Sequence, residues 1–255
     1  MAMHLNHPIK KLKLSLRAVA RIDNWWDYFF DYLNLKKGYI TYKIEGKKIK
    51  TRAGTIDRSI FTEVALENLY FPSWLKLREN ATVVDVGAHI GIFSVLVSSR
   101  ITGGRVYAIE PCKDNFNLLL EQTKINDFDI LPFNLALTNK AGKMKLYSGS
   151  HSARGSLLRE EGGNFEFVKT MTLKKFFEKE KIKKCDLLKV DIEGGEYPLF
   201  YSTPKKIFDK IDRIFMEVHK IEGEDRKEMM NFLEKKGFDI EVKEEGFIYA
   251  TKDLS

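Results

Sequence analysis

The sequence is poor in cysteine and has no long uncharged hydrophobic run. Only Cys112 and Cys185 occur among 255 residues, without the spacing to other cysteines or histidines that a zinc site needs. Neither a disulfide framework nor a structural zinc site is therefore encoded. No stretch of about 18 or more uncharged apolar residues is present, and the first residues, MAMHLNHPIKKLKLSL, lack a hydrophobic block before a cleavage site. These absences predict a cytoplasmic protein without a transmembrane segment.

Apolar side chains are nevertheless plentiful. Hydrophobic residues make up 44% of the chain and aromatic residues 12%. This content excludes a disordered or fibrous chain, and it is enough for one large core or for a core with a small appended subdomain.

Positive charge is concentrated in the first third of the chain. Residues 1–80 contain 15 basic and 8 acidic residues, whereas residues 81–255 contain 28 of each sign. The segment Lys36–Arg58 alone has eight basic and two acidic residues. It predicts either a solvated hairpin face or a surface for an anionic partner such as phosphate, nucleic acid or a lipid headgroup. Nucleic acid is not favoured, because the segment has no nucleic-acid-binding motif.

The first 80 residues are predicted to form a basic extension made of helices and a hairpin. Helical spacing predicts helices over Leu14–Leu35 and Asp57–Tyr70, and alternating residues predict a hairpin over Tyr39–Arg52. The first helix has an aromatic stripe, which we expect to pack in the core or against the next domain. A membrane-surface anchor and a homodimer face are the alternatives. The stripe consists of Trp25, Trp26, Phe29, Phe30 and Leu33.

From residue 81 onward, β-rich runs alternate with helical patterns, which predicts an α/β domain over residues 81–255. The last two strands are close enough in sequence to form an antiparallel hairpin. A Gly- and Ser-rich insertion at 136–172 is expected near the ligand crevice. The seven predicted strands are Thr82–Val86, Arg105–Glu110, Ile130–Leu135, Leu187–Asp191, Arg213–Val218, Phe238–Val242 and Phe247–Ala250; the helices between them are Ile90–Arg100, Lys113–Asn126, Leu173–Lys181, Lys205–Lys210 and Asp225–Lys236.

The first motif with chemical content is V-V-D-V-G-A-H-I-G-I-F, residues 83–93. A hydrophobic strand reaches Asp85, and a turn follows that allows close approach of a ligand to the main chain before a helix begins. The dinucleotide fingerprint would need glycine at position 89, where the chain has His89, and again at 92, so NAD is disfavoured. The small residues of the turn are Gly87, Ala88 and Gly91.

The second motif is V-Y-A-I-E-P, residues 106–111. Glu110 lies at the predicted end of the second strand, 23 residues after Gly87, and Pro111 follows it. An acidic side chain at this position can accept hydrogen bonds from both hydroxyls of a ribose. The two motifs together predict a nucleoside-containing ligand.

The remaining motifs bring acidic residues and a histidine to two neighbouring strand ends. In D-L-L-K-V-D-I-E-G-G-E, Asp191 ends a buried strand and Glu193 and Glu196 follow it. In I-F-M-E-V-H, Glu217 and His219 end the next strand. So many carboxylates at one strand end predict a role in a site, with His219 as the candidate titratable base. Helix capping is the alternative, and it can coexist with a site role.

In this order the motifs resemble the FkbM family of class I S-adenosylmethionine-dependent methyltransferases. The resemblance covers residues 50–250 and rests on D-V-G-A-H-I-G-I-F, I-E-P, N-L-A-L-T-N-K-A-G and K-V-D-I-E-G-G-E, with T-R-A-G-T-I-D-R upstream. It implies a Rossmann-like, mostly parallel seven-stranded sheet of order 3-2-1-4-5-7-6 with helices on both faces. It also implies S-adenosylmethionine at the switch between the first and fourth strands, and O-methylation of a hydroxyl on a sugar, glycan, lipid or secondary metabolite.

The resemblance also implies roles for individual residues. We expect Asp191, His219 and Glu193 to be catalytic, with Asp191 or His219 removing the proton of the acceptor. No metal is expected, although Asp191 with Glu217 would be the ligands of one. Two other functions stay open, an RNA methyltransferase that uses the basic extension and a non-catalytic nucleoside-binding scaffold. The expected cofactor-binding residues are Asp85, Gly87, Ala88, His89, Gly91, Glu110, Pro111, Asn134 and Asp191.

Overall fold

The computed structural model describes residues 8–67, 69–72, 75–148, 155–156, 165–242 and 246–252. The extension contains three helices, one hairpin and a π-helical turn at Thr62–Leu66. Its elements are α1 (Pro8–Arg21), α2 (Trp25–Tyr32), β1 (Tyr39–Ile44), β2 (Lys47–Arg52) and α3 (Asp57–Phe61).

The single helix predicted over residues 14–35 is wrong, because two helices occupy this segment. Residues 22–24 separate α1 from α2 and pair with β1. Ile22 forms a β-bridge with Ile44, and the amide of Asp23 donates to the carbonyl of Lys43 at 2.8 Å. Asn24 Nδ2 donates to the carbonyl of Thr41 at 2.9 Å. These bonds to β1 take the place of helical hydrogen bonds, so α1 ends at Arg21.

The seven predicted strands and the helices predicted between them are confirmed, with element ends shifted by no more than two residues, and the helix Glu196–Tyr201 was not predicted. The elements of this part are β3 (Thr82–Val86), α4 (Ile92–Ser98), β4 (Arg105–Ile109), α5 (Lys113–Asn126), β5 (Ile130–Phe133), β6 (Ala136–Leu137), β7 (Gly142–Ser148), β8 (Gly155–Ser156), β9 (Phe165–Met171), α6 (Leu173–Lys179), β10 (Leu187–Val190), α7 (Glu196–Tyr201), α8 (Lys205–Phe208), β11 (Arg213–Glu217), α9 (Arg226–Glu234), β12 (Asp239–Val242) and β13 (Phe247–Thr251).

The main sheet has seven strands in the order β5-β4-β3-β10-β11-β13-β12. Counted along the chain, this is the expected order 3-2-1-4-5-7-6. β13 runs antiparallel to both of its neighbours, whereas the other pairs are parallel. The order reverses between β3 and β10, and in such sheets ligands bind at the carboxyl ends of the strands beside that reversal.

The insertion at 136–172 forms a second, four-stranded sheet of order β6-β9-β7-β8. β7 and β9 make most of it as an antiparallel pair. Residues 149–154 and 157–164 of the insertion lie outside the described part of the chain.

Two buried hydrophobic clusters cover the two faces of the main sheet. Successive residues of β3 point to opposite faces, so that Val83 belongs to one cluster and Val84 to the other. The first cluster also contains Tyr42 and Phe61 of the extension. The predicted division at residue 80 therefore crosses a shared core. Among the described residues, no helix is both long and apolar enough to span a bilayer.

Candidate functional site

A cleft lies beyond the carboxyl ends of β3, β4, β10 and β11, and α3 and the π-helical turn of the extension form one of its walls. β6 and β7 of the insertion contribute to the opposite side, as expected for 136–172. Of the predicted site residues, Gly87, Ala88, His89, Glu110, Pro111, Asp191, Glu193 and His219 line the cleft. Glu217, the candidate metal ligand, also lines the cleft, and lining residues that the sequence did not single out include Ile56, Ile60, Glu63, Tyr70 and Lys189.

The glycines of the β3–α4 turn are required by contacts within the chain. Gly87 has φ +79°, and a Cβ there would collide with the main-chain carbonyl oxygen of Asp191. Gly91 has φ +87°, and a Cβ would lie 2.6 Å from Leu119 Cδ1. Gly91 does not line the cleft, and its contact with a ligand stays a prediction. α4 begins at Ile92, two residues later than predicted.

His89 occupies the centre of this turn with a left-handed backbone, φ +53°. Its Nε2 lies 3.5 Å from Asp57 Oδ1 and 3.5 Å from Arg52 Nη2. Its Nδ1 is buried and has no hydrogen-bond partner among the residues that the structure describes. Burial lowers the pKa of His89 to about 4, so the ring is neutral at pH 7. An unsatisfied buried polar atom beside a cleft is one that a bound ligand can satisfy.

The extension reaches this histidine through Arg52 and Asp57. Arg52 Nε and Nη2 donate to the two carboxylate oxygens of Asp57, each at 2.8 Å. Arg52 Nη2 also donates to Asn115 Oδ1 at 2.8 Å. Both residues belong to T-R-A-G-T-I-D-R, but nothing in that motif indicated that they would contact the glycine turn.

Glu110 is buried at the end of β4, and both of its carboxylate oxygens accept main-chain hydrogen bonds. Oε2 accepts from the amide of His89 at 2.8 Å, and Oε1 accepts from the amide of Cys112 at 2.9 Å. Burial raises the pKa of Glu110 to about 7, although these hydrogen bonds oppose the shift. The carboxylate is thus held in a fixed orientation beside the cleft.

Asp85 and Asn134, two further predicted cofactor-binding residues, do not line the cleft. Asn134 Nδ2 donates to the carbonyls of Glu110 and Pro111 at 3.0 and 2.8 Å, so it supports the end of β4. Asp85 is fully buried and accepts from Ser94 Oγ at 2.6 Å. Both side chains are occupied in holding the residues that do face the cleft.

Lys189 is a buried residue of β10 that the sequence reasoning missed. Its Nζ donates to the carbonyl of Gly87 at 2.6 Å and lies 3.1 Å from Asp85 Oδ1. Asp191 Oδ2 is 3.9 Å away. The lysine therefore joins the glycine turn to the end of β10. Its position inside the apolar run L-L-K-V was the available signal, because lysine is almost never buried without a partner.

Acidic side chains surround His219 at the ends of β10 and β11. A carboxylate oxygen of Asp191, a carboxylate oxygen of Glu217 and a ring nitrogen of His219 all lie within 4.8 Å of one another. His219 Nδ1 is 3.0 Å from Glu196 Oε1, and Nε2 is 3.4 Å from Glu193 Oε2. Glu196 is fully buried beneath the histidine and does not line the cleft.

These contacts set the protonation of the cluster. Burial lowers the pKa of His219, but the hydrogen bond and charge of Glu196 outweigh burial and bring the pKa to about 10. The ring is therefore an imidazolium at pH 7, which does not favour His219 as the base. Burial raises the pKa of Glu217 to about 8, and the charge of Asp191 adds to the increase. The cluster has the spacing for a divalent cation, which would have to displace the ring proton of His219, because histidine binds metals in its neutral form.

The methyltransferase FkbM domain model matches residues 85–240, more than half of the chain. The chain belongs to the FkbM methyltransferase family. It is 26% identical over 225 residues to methyltransferase sdnD of Sordaria araneosa, covering 75% of this chain and 84% of sdnD. It is 23% identical over 164 residues to hexuronic acid methyltransferase AglP of Haloferax volcanii, covering 64% of this chain and 66% of AglP.

Two further FkbM proteins match most of this chain. The 31-O-demethyl-FK506 methyltransferase FkbM of Streptomyces tacrolimicus is 23% identical over 224 residues, covering 76% of this chain and 86% of that protein. The crystal structure of methyltransferase FkbM from Methylobacillus flagellatus superposes with a TM-score of 0.54 at 14% identity. That superposition covers 95% of this chain and 59% of the other, and it shows a shared fold.

Proposed function

We propose that this FkbM-family methyltransferase transfers the methyl group of S-adenosylmethionine to a hydroxyl group of a sugar, glycan, lipid or secondary metabolite. The observation that carries the proposal is a single cleft that joins the glycine turn and Glu110 to the cluster of Asp191, Glu217 and His219. The names of two relatives, a hexuronic acid methyltransferase and a 31-O-demethyl-FK506 methyltransferase, support acceptors of this class.

The residues of the cleft fit the cofactor. Glu110 presents an oriented carboxylate for the ribose hydroxyls, and His89 Nδ1 is a buried polar atom that lacks a partner among the described residues. Ala88 and Pro111 line the same wall. S-adenosylmethionine supplies a methyl group on a sulfonium. When the ribose binds at Glu110, the side of the cleft near Asp191 is available for the reacting end of the cofactor.

The chain must then position the acceptor oxygen and remove its proton, because an alcohol is a poor nucleophile while protonated. We assign proton removal to Glu217, whose pKa of about 8 suits a base near neutral pH. Glu217 groups with Asp191 and ends β11, three strands from β4 and Glu110. His219 stays protonated and balances the negative charge of Glu193 and Glu196.

A panel of acceptors with separate hydroxyl, carboxyl and amino groups tests this function. The purified protein is incubated with S-adenosylmethionine carrying a labelled methyl group and each acceptor, and the products are analysed by mass spectrometry. We expect label on a hydroxyl oxygen, and much less of it with Glu110→Gln at the same subsaturating cofactor concentration. Label on nitrogen, or transfer that Glu110→Gln leaves unchanged, would contradict the proposal.

A further inference from the structure

Exposed large hydrophobic side chains are concentrated in one short segment of the extension. Ten of the fifteen in the described part of the chain fall between residues 12 and 39. Scattered exposed hydrophobic residues are normal on any protein, but a contiguous apolar patch marks an interaction surface. The ten are Leu12, Leu16, Val19, Trp26, Phe29, Phe30, Tyr32, Leu33, Leu35 and Tyr39.

The outward face of α2 has the pattern expected of a core-facing helix. Trp26, Phe29, Phe30 and Leu33 are spaced i, i+3, i+4 and i+7, which places them on one face. Their exposed fractions are 59%, 42%, 43% and 51%. The opposite face is already packed, because Tyr28 is buried against β1 and α3. The expectation that this stripe packs in the core is therefore wrong for the four exposed residues.

α1 repeats this arrangement beside α2, which it contacts. Ala18 and Ile22 are buried beneath α1, whereas Leu12, Leu16 and Val19 form a second stripe that is 49% to 62% exposed. The helix P-I-K-K-L-K-L-S-L-R-A-V-A-R contains five basic residues and no acidic residue. Exposed Lys13 and Arg17 lie on the surface next to this stripe.

We propose that α1 and α2 dock this enzyme on an anionic lipid bilayer. Both helices have apolar outer faces and α1 is basic, which matches the composition of interfacial helices, in which aromatic and leucine side chains enter the headgroup region. Negative headgroups complement the charge of α1. No described helix can span a bilayer, so the association is peripheral.

A second copy of the chain and a nucleic acid fit this face less well. A symmetric dimer through this face would bring two copies of α1 together, and α1 has no acidic residue to offset its basic ones, of which Arg21 pairs with Glu45. Nucleic acid recognition would use charge rather than the apolar stripe. The basic segment Lys36–Arg58 is also largely neutralised, because five of its eight basic residues pair with carboxylates. They are Lys36, Lys47, Lys50, Arg52 and Arg58.

Co-sedimentation of the full chain with vesicles tests the proposal. Vesicles of phosphatidylcholine alone are compared with vesicles that also contain phosphatidylglycerol. We expect binding to the anionic vesicles only, weakened by salt, and reduced at least roughly 10-fold by Phe29→Ser with Phe30→Ser. The matched control is Phe165→Ser with Phe167→Ser, because these phenylalanines of β9 are 44% and 67% exposed and lie elsewhere. The control pair should bind like the parent protein.

A second variant pair guards against misfolding of α2. Lys13→Gln with Lys37→Gln changes two exposed side chains and leaves the apolar stripe intact, and we expect weaker binding by roughly 5-fold per lysine. Three results would overturn the proposal. The first is absence of binding to anionic vesicles, and the second is an equal loss of vesicle binding in the control pair Phe165→Ser with Phe167→Ser. The third is a dimer, detected by light scattering, that Phe29→Ser with Phe30→Ser dissociates without changing vesicle binding.

Discussion

The main-chain amide of His89 donates a 2.8 Å hydrogen bond to Oε2 of Glu110, across the adjacent strands β3 and β4. The amide of Cys112 holds the other oxygen at 2.9 Å. The two bonds orient the carboxylate toward the cleft, and they also fix the glycine turn against the end of β4. The geometry of the turn and the proposed recognition of a nucleoside therefore depend on the same contact.

Binding of S-adenosylhomocysteine is expected to weaken as the pH falls below about 7. This ligand has the nucleoside of the cofactor without the sulfonium charge. The pKa of Glu110 is raised to about 7 by burial, so the carboxylate becomes protonated below that pH and loses an acceptor for a ribose hydroxyl. Calorimetric titrations from about pH 6 to about pH 8 measure the effect, which approaches tenfold per pH unit well below the pKa.

Glu110→Gln isolates this contribution. The variant should bind roughly 10- to 100-fold more weakly and show no slope with pH, because the charge-assisted bonds are lost. Glu228→Gln on the surface of α9 should behave like the parent protein. An affinity that is constant with pH, or unchanged in Glu110→Gln, would remove Glu110 from the nucleoside site.

Gly87→Ala should destabilise the fold far more than Gly46→Ala. The two glycines have nearly equal φ, +79° and +78°, so the backbone cost of alanine is similar. Only Gly87 faces a collision, with the carbonyl of Asp191, whereas nothing lies within 4 Å of the Cβ position at Gly46. We expect about 1 kcal/mol at Gly46 and several times that at Gly87, measured by urea denaturation. Equal losses would mean that the turn shifts freely.

Lys189→Met should destabilise the protein by about 3 to 5 kcal/mol, because it leaves the buried carboxylate of Asp85 unpaired. The double variant with Asp85→Asn should recover part of the loss. Lys184 provides the comparison, because it forms a 2.9 Å ion pair with Asp212 while its own side chain is half exposed. Lys184→Met should lower the free energy of unfolding by less than about 1 kcal/mol. Similar melting temperatures for Lys189→Met and Lys184→Met would contradict the role given to Lys189.

Glu217→Gln should lower kcat by roughly 100-fold or more while the Kd for S-adenosylmethionine stays unchanged. The reason is that Glu217 groups with Asp191 and ends β11, three strands from β4 and Glu110, so we assign it to the acceptor and not to the nucleoside. Steady-state kinetics with an acceptor found in the panel gives kcat, and calorimetry gives Kd. A variant with full kcat would exclude Glu217 as the base.

The sequence predicted the main sheet and much of the cleft because both depend on local patterns. Short β-rich runs separated by helical spacing marked all seven strands, and the motifs at strand ends placed Gly87, Glu110 and Asp191 at one edge. Side chains that support these residues were harder to assign. Asn134 and Asp85 belong to the same motifs, but only the structure shows that their hydrogen bonds are used within the chain.

Features that depend on packing between distant segments were missed. Helical spacing revealed the aromatic stripe of α2, but it did not show which face of the helix would pack against the core. The buried face is the one that contains Tyr28. Counting charges along the sequence revealed the basic segment but not the carboxylates that pair with it. Lys50, for example, pairs with Glu121, which is 71 residues away. The ion pair of Arg52 and Asp57 beside His89 likewise depends on how the hairpin and α3 fold onto the sheet.

Titration of the purified protein with S-adenosylmethionine, and separately with NAD, tests the central claim most directly. The glycine turn lacks the second and third glycines of a dinucleotide site, and we propose that Glu110 beside it binds a ribose. We predict micromolar binding of S-adenosylmethionine and no measurable binding of NAD in the same calorimeter. Binding of NAD, or no heat with S-adenosylmethionine at millimolar concentration, would contradict the account.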